Sequence, residues 1–406
     1  MQDNHKTQPG RDKITPLVLN TKVSSNSKKQ ACFISGVSKK AEIAKISDQK
    51  KSAVQIRYKR LSMARKILTD NGHTKHRIGL CKRYLRTGAN NAELNYSLKH
   101  NSASFRNLIS CGSVWVCPVC SAKVTERRRE ELLTALAKKD NYHYYLVTFT
   151  LGHKEFDYLP VLLDRLSYAI GRTKAGPKWQ KFREHIGYIG TVSTLEITFN
   201  PKTNGRHPHY HTLLITEKNI REKEIKEYFS SIYMKALKKI GGYATEEIAV
   251  DVQYAREKDE AAGYILKWGA MEEITRSHVK KAGGGGYSAF ELLDIAEETG
   301  ELWAIQAFRE FARATKGKKL LSFSKGLKSI LGIDNKSDEE IAEEEEDQAD
   351  NVTLARFDSN DLIVIREHDL QGMILHLANK KEFPSLKNLF IDYGIGVINK
   401  QFFDDG

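Results

Sequence analysis

Two long β-forming runs joined by a short turn constrain this chain more than any other feature of its sequence. Gly187 to Phe199 (GYIGTVSTLEITF) ends at Asn200-Pro201, and the turn-prone Lys202-Thr203-Asn204-Gly205 leads into a second run, His209 to Thr216. Residues of this kind between β-rich runs predict an antiparallel hairpin. Successive side chains on a strand alternate faces, so His209 and His211 point the same way, with Tyr210 and Leu214 on the opposite face. His207 shares their parity, but Pro208 stands at the start of the strand. The hairpin brings Glu196, from Leu195-Glu196-Ile197, beside the histidines. A charged side chain in an apolar strand is costly to bury without a partner. Two imidazoles and a carboxylate make a site for Mg²⁺, Mn²⁺ or a similar cation, with open positions for phosphate oxygens.

The hairpin sits inside an alternation of elements. His143 to Leu151 (HYYLVTFTL) reads as a strand, and Asp157 to about Glu184 is amphipathic with a break near Gly176-Pro177. After the hairpin, Glu217 to Ile240 predicts a helix stopped by Gly241-Gly242. Ile248 to Tyr254 alternates as a strand, and Lys258 to Gly269 returns to helical spacing. The order β-α-β-β-α-β is that of an α+β, ferredoxin-like domain, with helices on one face of an antiparallel sheet.

Upstream, the sequence is strongly basic. Across 406 residues, 65 lysines and arginines outweigh 51 acidic residues for a net charge of +14, which favours a polyanionic partner, nucleic acid being the commonest. No apolar run approaches the roughly 18–20 residues needed to cross a bilayer, and Met1 to Gly10 is polar, so neither a membrane span nor a secretory signal is expected. Five cysteines, an odd number without a signal peptide, point to a reducing cytoplasm and away from a disulfide framework. Cys111, Cys117 and Cys120 cluster around Cys117-Pro118-Val119-Cys120, whose spacing suits two thiolates on one zinc ion. Cys81 is the best remaining cysteine to close a four-sulfur site; such a site has no open position and would be structural.

A third constellation is Glu260-Ala261-Ala262-Gly263-Tyr264-Ile265-Leu266-Lys267. On a helix, Glu260, Tyr264 and Lys267 share one face, an unwelcoming setting for a core tyrosine. A phenol can attack a phosphodiester if a metal polarises the phosphate and a cation steadies the developing charge. A carboxylate one turn away can act as general base. Tyr254, ten residues earlier, is the alternative nucleophile.

Taken in order from about Cys81 to Trp268, these motifs resemble the rolling-circle replication initiators (plasmid Rep proteins) of the HUH endonuclease superfamily, in the branch with one catalytic tyrosine and a nearby glutamate. The resemblance rests on the cluster ending in CPVC, the strand motif Thr148-Phe149-Thr150, the HPHYHTLL motif and the E-x3-Y-x2-K helix. It implies an HUH antiparallel sheet, with His209 and His211 as the metal-binding pair and Tyr264 as nucleophile forming a 5′-phosphotyrosyl DNA adduct. It assigns Glu260 to termination and Lys267 to the scissile phosphate. Glu196 as third ligand follows from strand geometry and from analogy with viral members. Two positions depart from the family pattern: Arg206, where tryptophan is common, and Gly263, where lysine is common. The implied domains are a basic, disordered tail (1–60), a cysteine-cluster DNA-binding module (61–135) and the nickase domain (136–275). A helical extension (276–335), an acidic linker (336–350) and a small C-terminal element (351–406) follow. The implied partners are duplex and single-stranded origin DNA, with a separate host helicase and DNA polymerase, since the chain has no GxxxxGK[ST] loop. Transposases and relaxases use the same chemistry, but relaxases usually carry the tyrosine ahead of the histidines. A non-catalytic zinc-containing DNA-binding regulator would leave the histidines, Glu196 and Tyr264 unexplained.

Overall fold

The described residues of the computed structural model are 52–69, 76–137, 141–201, 205–255, 286–345 and 351–396. In chain order, α1 (Ala53–Thr69) precedes the hairpin β1 (Ala92–Ser97) and β2 (Ser102–Arg106), then α2 (Pro118–Ala137) and β3 (His143–Thr150). Next come α3 (Leu159–Thr173), α4 (Gly176–Ile186), β4 (Tyr188–Asn200), β5 (Gly205–Thr216), α5 (Glu222–Lys239), the short α6 (Glu246–Ala249) and β6 (Val250–Ala255). The later elements are α7 (Ala289–Thr299), α8 (Leu302–Ala314), β7 (Ser322–Phe323), α9 (Leu327–Leu331) and α10 (Asp338–Glu343). β8 (Asn351–Phe357), α11 (Ser359–Glu367), α12 (Gln371–Lys380) and α13 (Phe383–Asp392) follow.

The fold is α+β with two antiparallel sheets. The larger has five strands in the order β6-β3-β5-β4-β7. The predicted hairpin is its spine: β4 pairs with β5 from Tyr188↔Thr216 to Asn200↔Gly205. Gly205 has a φ of +68°, and a Cβ there would lie 2.2 Å from the Glu155 carbonyl oxygen, so only glycine fits at that end of β5. The amphipathic region after β3 forms two helices, each opened by a proline in its first turn, where the missing amide donor costs nothing.

Both faces of the sheet are covered, where helices on one face were expected. Leu162, Leu166, Phe229 and Tyr233 of α3 and α5 pack on Tyr145, Val147, Phe149 and Leu214. On the other face, Leu132 and Leu136 of α2, with Leu321, Leu327 and Leu331, pack on Tyr144, Leu146, Val192 and Leu213. The strands carry large apolar residues at both parities, so one helical layer could not have buried them.

The second sheet has the order β2-β1-β8, so the segment after the acidic stretch pairs with the strand that follows the first described cysteine. α12 packs on α1 in the same core as Cys81, Cys111, Cys117 and Cys120. Three further features have local causes. α1 starts inside the stretch read as a solvated tail, because Tyr58, Arg60 and Leu61 are buried and Arg60 holds Asp294 of α7 at 2.9 and 2.5 Å. In the helical extension, Ser288 to Thr315 forms two helices, α7 and α8, divided at Gly300 with φ +69°. Within the acidic stretch, α10 buries Ile341 and Ala342, and Asp338 pairs with Arg128 of α2 at 3.0 Å. Among the described residues, no helix is long and apolar enough to cross a membrane.

Candidate metal centre and cysteine cluster

Three neighbouring strands line up two rows of polar side chains across one face of the large sheet. Thr148 of β3 lies opposite His211 of β5, which lies opposite Thr194 of β4. One step along, Thr150, His209 and Glu196 form the next row. Cross-strand partners share a face, here that of Leu213 and Val192.

Glu196 is the meeting point. Its Oε2 accepts from His211 Nε2 at 3.0 Å and from His209 Nε2 at 3.2 Å. One ligand atom from each residue lies within 4.8 Å of the others. Burial pushes the Glu196 carboxyl up, but the hydrogen bonds and charge of the two histidines outweigh it and hold it down at about 2. Burial pushes His211 down, so it favours the neutral form that can offer a lone pair. Thr148 Oγ1 stands 3.0 Å from His211 Nδ1 and orients the ring. Thr194 Oγ1 on the other side of His211 is buried without a hydrogen-bond partner among the described residues. His207, which pairs with His153 and stacks edge-on against His209 at 4.5 Å, is pushed down to about 4, first by burial and then by His209 and His153.

This donor set is compatible with metal binding. Six ligands at the 2.0–2.1 Å bonds of a small divalent cation are separated by about 3.0 Å along adjacent edges, close to the two Glu196–histidine spacings. The orphaned Thr194 hydroxyl, facing the same site, is a ready partner for a metal-bound water.

The four predicted cysteines also converge. Cys81 Sγ lies 3.6 Å from both Cys117 Sγ and Cys120 Sγ, and Cys111 Sγ lies 3.8 Å from Cys120 Sγ. A tetrahedron of sulfurs at 2.3 Å from one ion has edges of about 3.8 Å. All four thiols are free and buried. Burial pushes the Cys117 thiol up, while hydrogen bonds from the other three sulfurs hold Cys120 down. The knuckle caps a helix: α2 starts at Pro118, directly after Cys117.

The third constellation, Glu260, Tyr264 and Lys267, lies outside the described residues. Its alternative does not. Tyr254 pairs with Tyr145 on β3, sets its ring at a tilt to it with centroids 5.2 Å apart, and hydrogen-bonds His143 Nδ1 at 3.0 Å. Tyr145 belongs to the face packed by α3 and α5, so Tyr254 points away from the histidines.

Thr148 enters the sequence reading only as part of the Thr148-Phe149-Thr150 motif and Thr194 not at all, although both are hydroxyls at the parity of the histidines. Arg206 is a further addition. It clamps the start of β5 to α8 through Glu310, at 2.6 and 2.9 Å, and Glu310 is only 4% exposed. Glu310 also accepts from the Leu159 amide at the start of α3. No local pattern in the sequence joins positions so far apart.

The larger sheet thus bears a carboxylate and two histidines on one face, beside a cluster of four cysteines. A family model described as replication protein matches residues 103–361, and the chain belongs to that family, as a plasmid replication initiator. It is 28% identical over 323 residues to "Protein rep" of Streptomyces lividans, a match spanning 63% of this chain and 69% of that protein. It is 32% identical over 134 residues to "Neomycin resistance protein" of Streptomyces cyanogenus, covering 27% of this chain and 30% of that one. No solved structure matches.

Proposed function

We propose that this initiator starts rolling-circle replication as an HUH endonuclease, nicking one strand of its plasmid's double-strand origin with Tyr264. The observation that carries the reading is the convergence of Glu196, His209 and His211 on one sheet face, with Glu196 held to both histidines. A divalent cation bound there, Mg²⁺ or Mn²⁺, would draw charge from the non-bridging oxygens of the scissile phosphate. The Tyr264 oxygen forms a bond to phosphorus as the bond to the 3′ oxygen breaks. The products are a 5′-phosphotyrosyl link and a 3′-hydroxyl from which a host polymerase extends. Lys267 steadies the charge that builds on the phosphate. After one round Glu260 takes the proton of the 3′-hydroxyl that attacks the phosphotyrosyl phosphorus, the bond to the Tyr264 oxygen breaks and the circle closes. With water as the attacking group the same base would release a linear strand ending in a 5′-phosphate. Thr148 positions His211 throughout.

Tyr264, not Tyr254, is the nucleophile in this reading, because Tyr254 faces the side of the sheet away from the histidines. The four-cysteine site is assigned to structural zinc, in keeping with sulfur spacings near a tetrahedral edge. Origin recognition falls to the basic N-terminal region and the cysteine module, with unwinding left to a host helicase in the cytoplasm.

The test is conversion of supercoiled origin plasmid to open circles by purified protein with Mg²⁺ or Mn²⁺. His209→Ala and His211→Ala should abolish conversion and leave origin binding nearly intact. Intact binding by the wild-type protein with no conversion on the cognate origin would instead identify a non-catalytic regulator.

A further inference from the structure

A groove of about 850 Å³ lies between the loop joining Cys111 to Cys117 and the β7 edge of the large sheet. One wall is the segment Lys316-Gly317-Lys318-Lys319. The other includes Phe323 and Lys328, whose ammonium sits 5.4 Å above the Phe323 ring. Lys316 and Lys319 are exposed. Of the acidic residues that line the groove, Asp338 is already engaged by Arg128 at 3.0 Å, and Glu339 packs beneath Gly112. The groove therefore carries a local excess of positive charge with an aromatic ring beside it, the combination that tracks a single nucleic-acid strand. Its volume is that of a site for a small ligand. It suits a few nucleotides of one strand, not a duplex.

Its place in the sheet adds the decisive constraint. Phe323 is the cross-strand partner of Val192 on β4. Val192 has the same parity as Glu196 and lies four residues before it, or about 13 Å at the usual rise of a strand. Phe323, which lines the groove, thus belongs to the same sheet face as Glu196, His209 and His211.

We infer that this groove seats the sugar-phosphate backbone of the single strand entering or leaving the candidate metal centre, with Lys316, Lys318 and Lys319 contacting successive phosphates. This deepens the nickase reading, on which it rests, by assigning the path of the substrate strand. Phosphate contacts release counterions, so each lysine lost should flatten the salt dependence of binding.

The test uses the full chain and a dye-labelled, mixed-sequence single-stranded oligonucleotide, titrated at several salt concentrations. A variant carrying Lys316→Gln, Lys318→Gln and Lys319→Gln should lose about two from the slope of log affinity against log salt, at roughly 0.7 per phosphate contact. The control carries Lys223→Gln, Lys235→Gln and Lys239→Gln on α5, exposed on the far side of the sheet, and should keep the wild-type slope. An unchanged slope in the groove variant, or an equal fall in the control, overturns the assignment. A second readout needs no variant: acylation of wild-type lysines with and without the oligonucleotide, read by mass spectrometry. Protection of Lys316, Lys318 and Lys319 supports the groove, and equal labelling overturns it. Neither readout requires cleavage, so the groove and the nickase reading can fail separately.

Discussion

The Thr148 hydroxyl oxygen lies 3.0 Å from His211 Nδ1, on the side of the ring opposite the bond from Nε2 to Glu196. Two strands thus hold one imidazole from both ends. Thr148→Val keeps the shape of the side chain and removes the hydroxyl. Divalent-metal affinity, measured by calorimetry with Mn²⁺, should fall about 10- to 100-fold, the usual cost of losing such a support. Thr148→Ser should restore most of it. Equal affinity for the valine variant would mean that His211 is oriented by packing alone.

Glu310 ties the larger sheet to the helical extension through Arg206 and the Leu159 amide. Glu310→Ala leaves a cation and a buried amide without their acceptor and should destabilise the chain by about 3 kcal/mol in urea unfolding. Double replacement, Arg206→Met with Glu310→Leu, should recover part of that loss. A cost below about 0.5 kcal/mol for the single change would show that solvent replaces the carboxylate freely.

Stability of the metal-free protein should fall with acid in two windows. His207 is shifted down from its ordinary 6.5 to about 4, so the unfolded chain binds the proton more readily. Its contribution is complete above pH 6.5 and is lost as pH falls towards 4. Glu196 is shifted from 4.5 to about 2, so its contribution is lost below that, between those values. His207→Asn should flatten the upper window of a plot of melting temperature against pH and leave the lower one in place. An upper window unchanged by that substitution would assign it to other groups, the buried His211 first among them.

Purified protein should contain about one equivalent of zinc, released by a mercurial reagent together with a large drop in melting temperature. Cys81→Ser should lower both zinc content and stability, because Cys81 comes from a turn far along the chain from the CPVC knuckle and closes the sulfur set. Less than about half an equivalent in undamaged protein would leave the cluster as four buried thiols.

Tyr264→Phe should abolish the covalent adduct with a labelled origin oligonucleotide on a denaturing gel, and should barely change stability. Tyr254→Phe should still form it and lose only the hydrogen bond to His143, worth about 1 kcal/mol. Glu260→Ala should form adduct that accumulates, since release then lacks its base. Adduct from Tyr264→Phe would point to another tyrosine. A block of first cleavage by Glu260→Ala would extend that residue's role beyond termination.

Strand parity and turn chemistry were sufficient, from the sequence alone, to pair β4 with β5 and to put Glu196, His209 and His211 on one face, because a hairpin is a local structure with a period of two. The closeness of Cys117 and Cys120 was legible for the same reason: the two thiols lie within one turn of chain. What the tertiary structure decided is everything that joins distant segments. Thr148 meets His211 only because β3 inserts beside β5, and Arg206 meets Glu310 only because α8 folds back on the hairpin. β8 pairs with β1 across most of the chain, which no periodicity encodes. The second helical layer over the sheet was hidden too, since apolar residues at both parities show that a strand is buried on two sides but not what buries it. Short-range pattern is set by the geometry of the backbone, whereas long-range partners are chosen by which surfaces, once folded, leave the least apolar area in water.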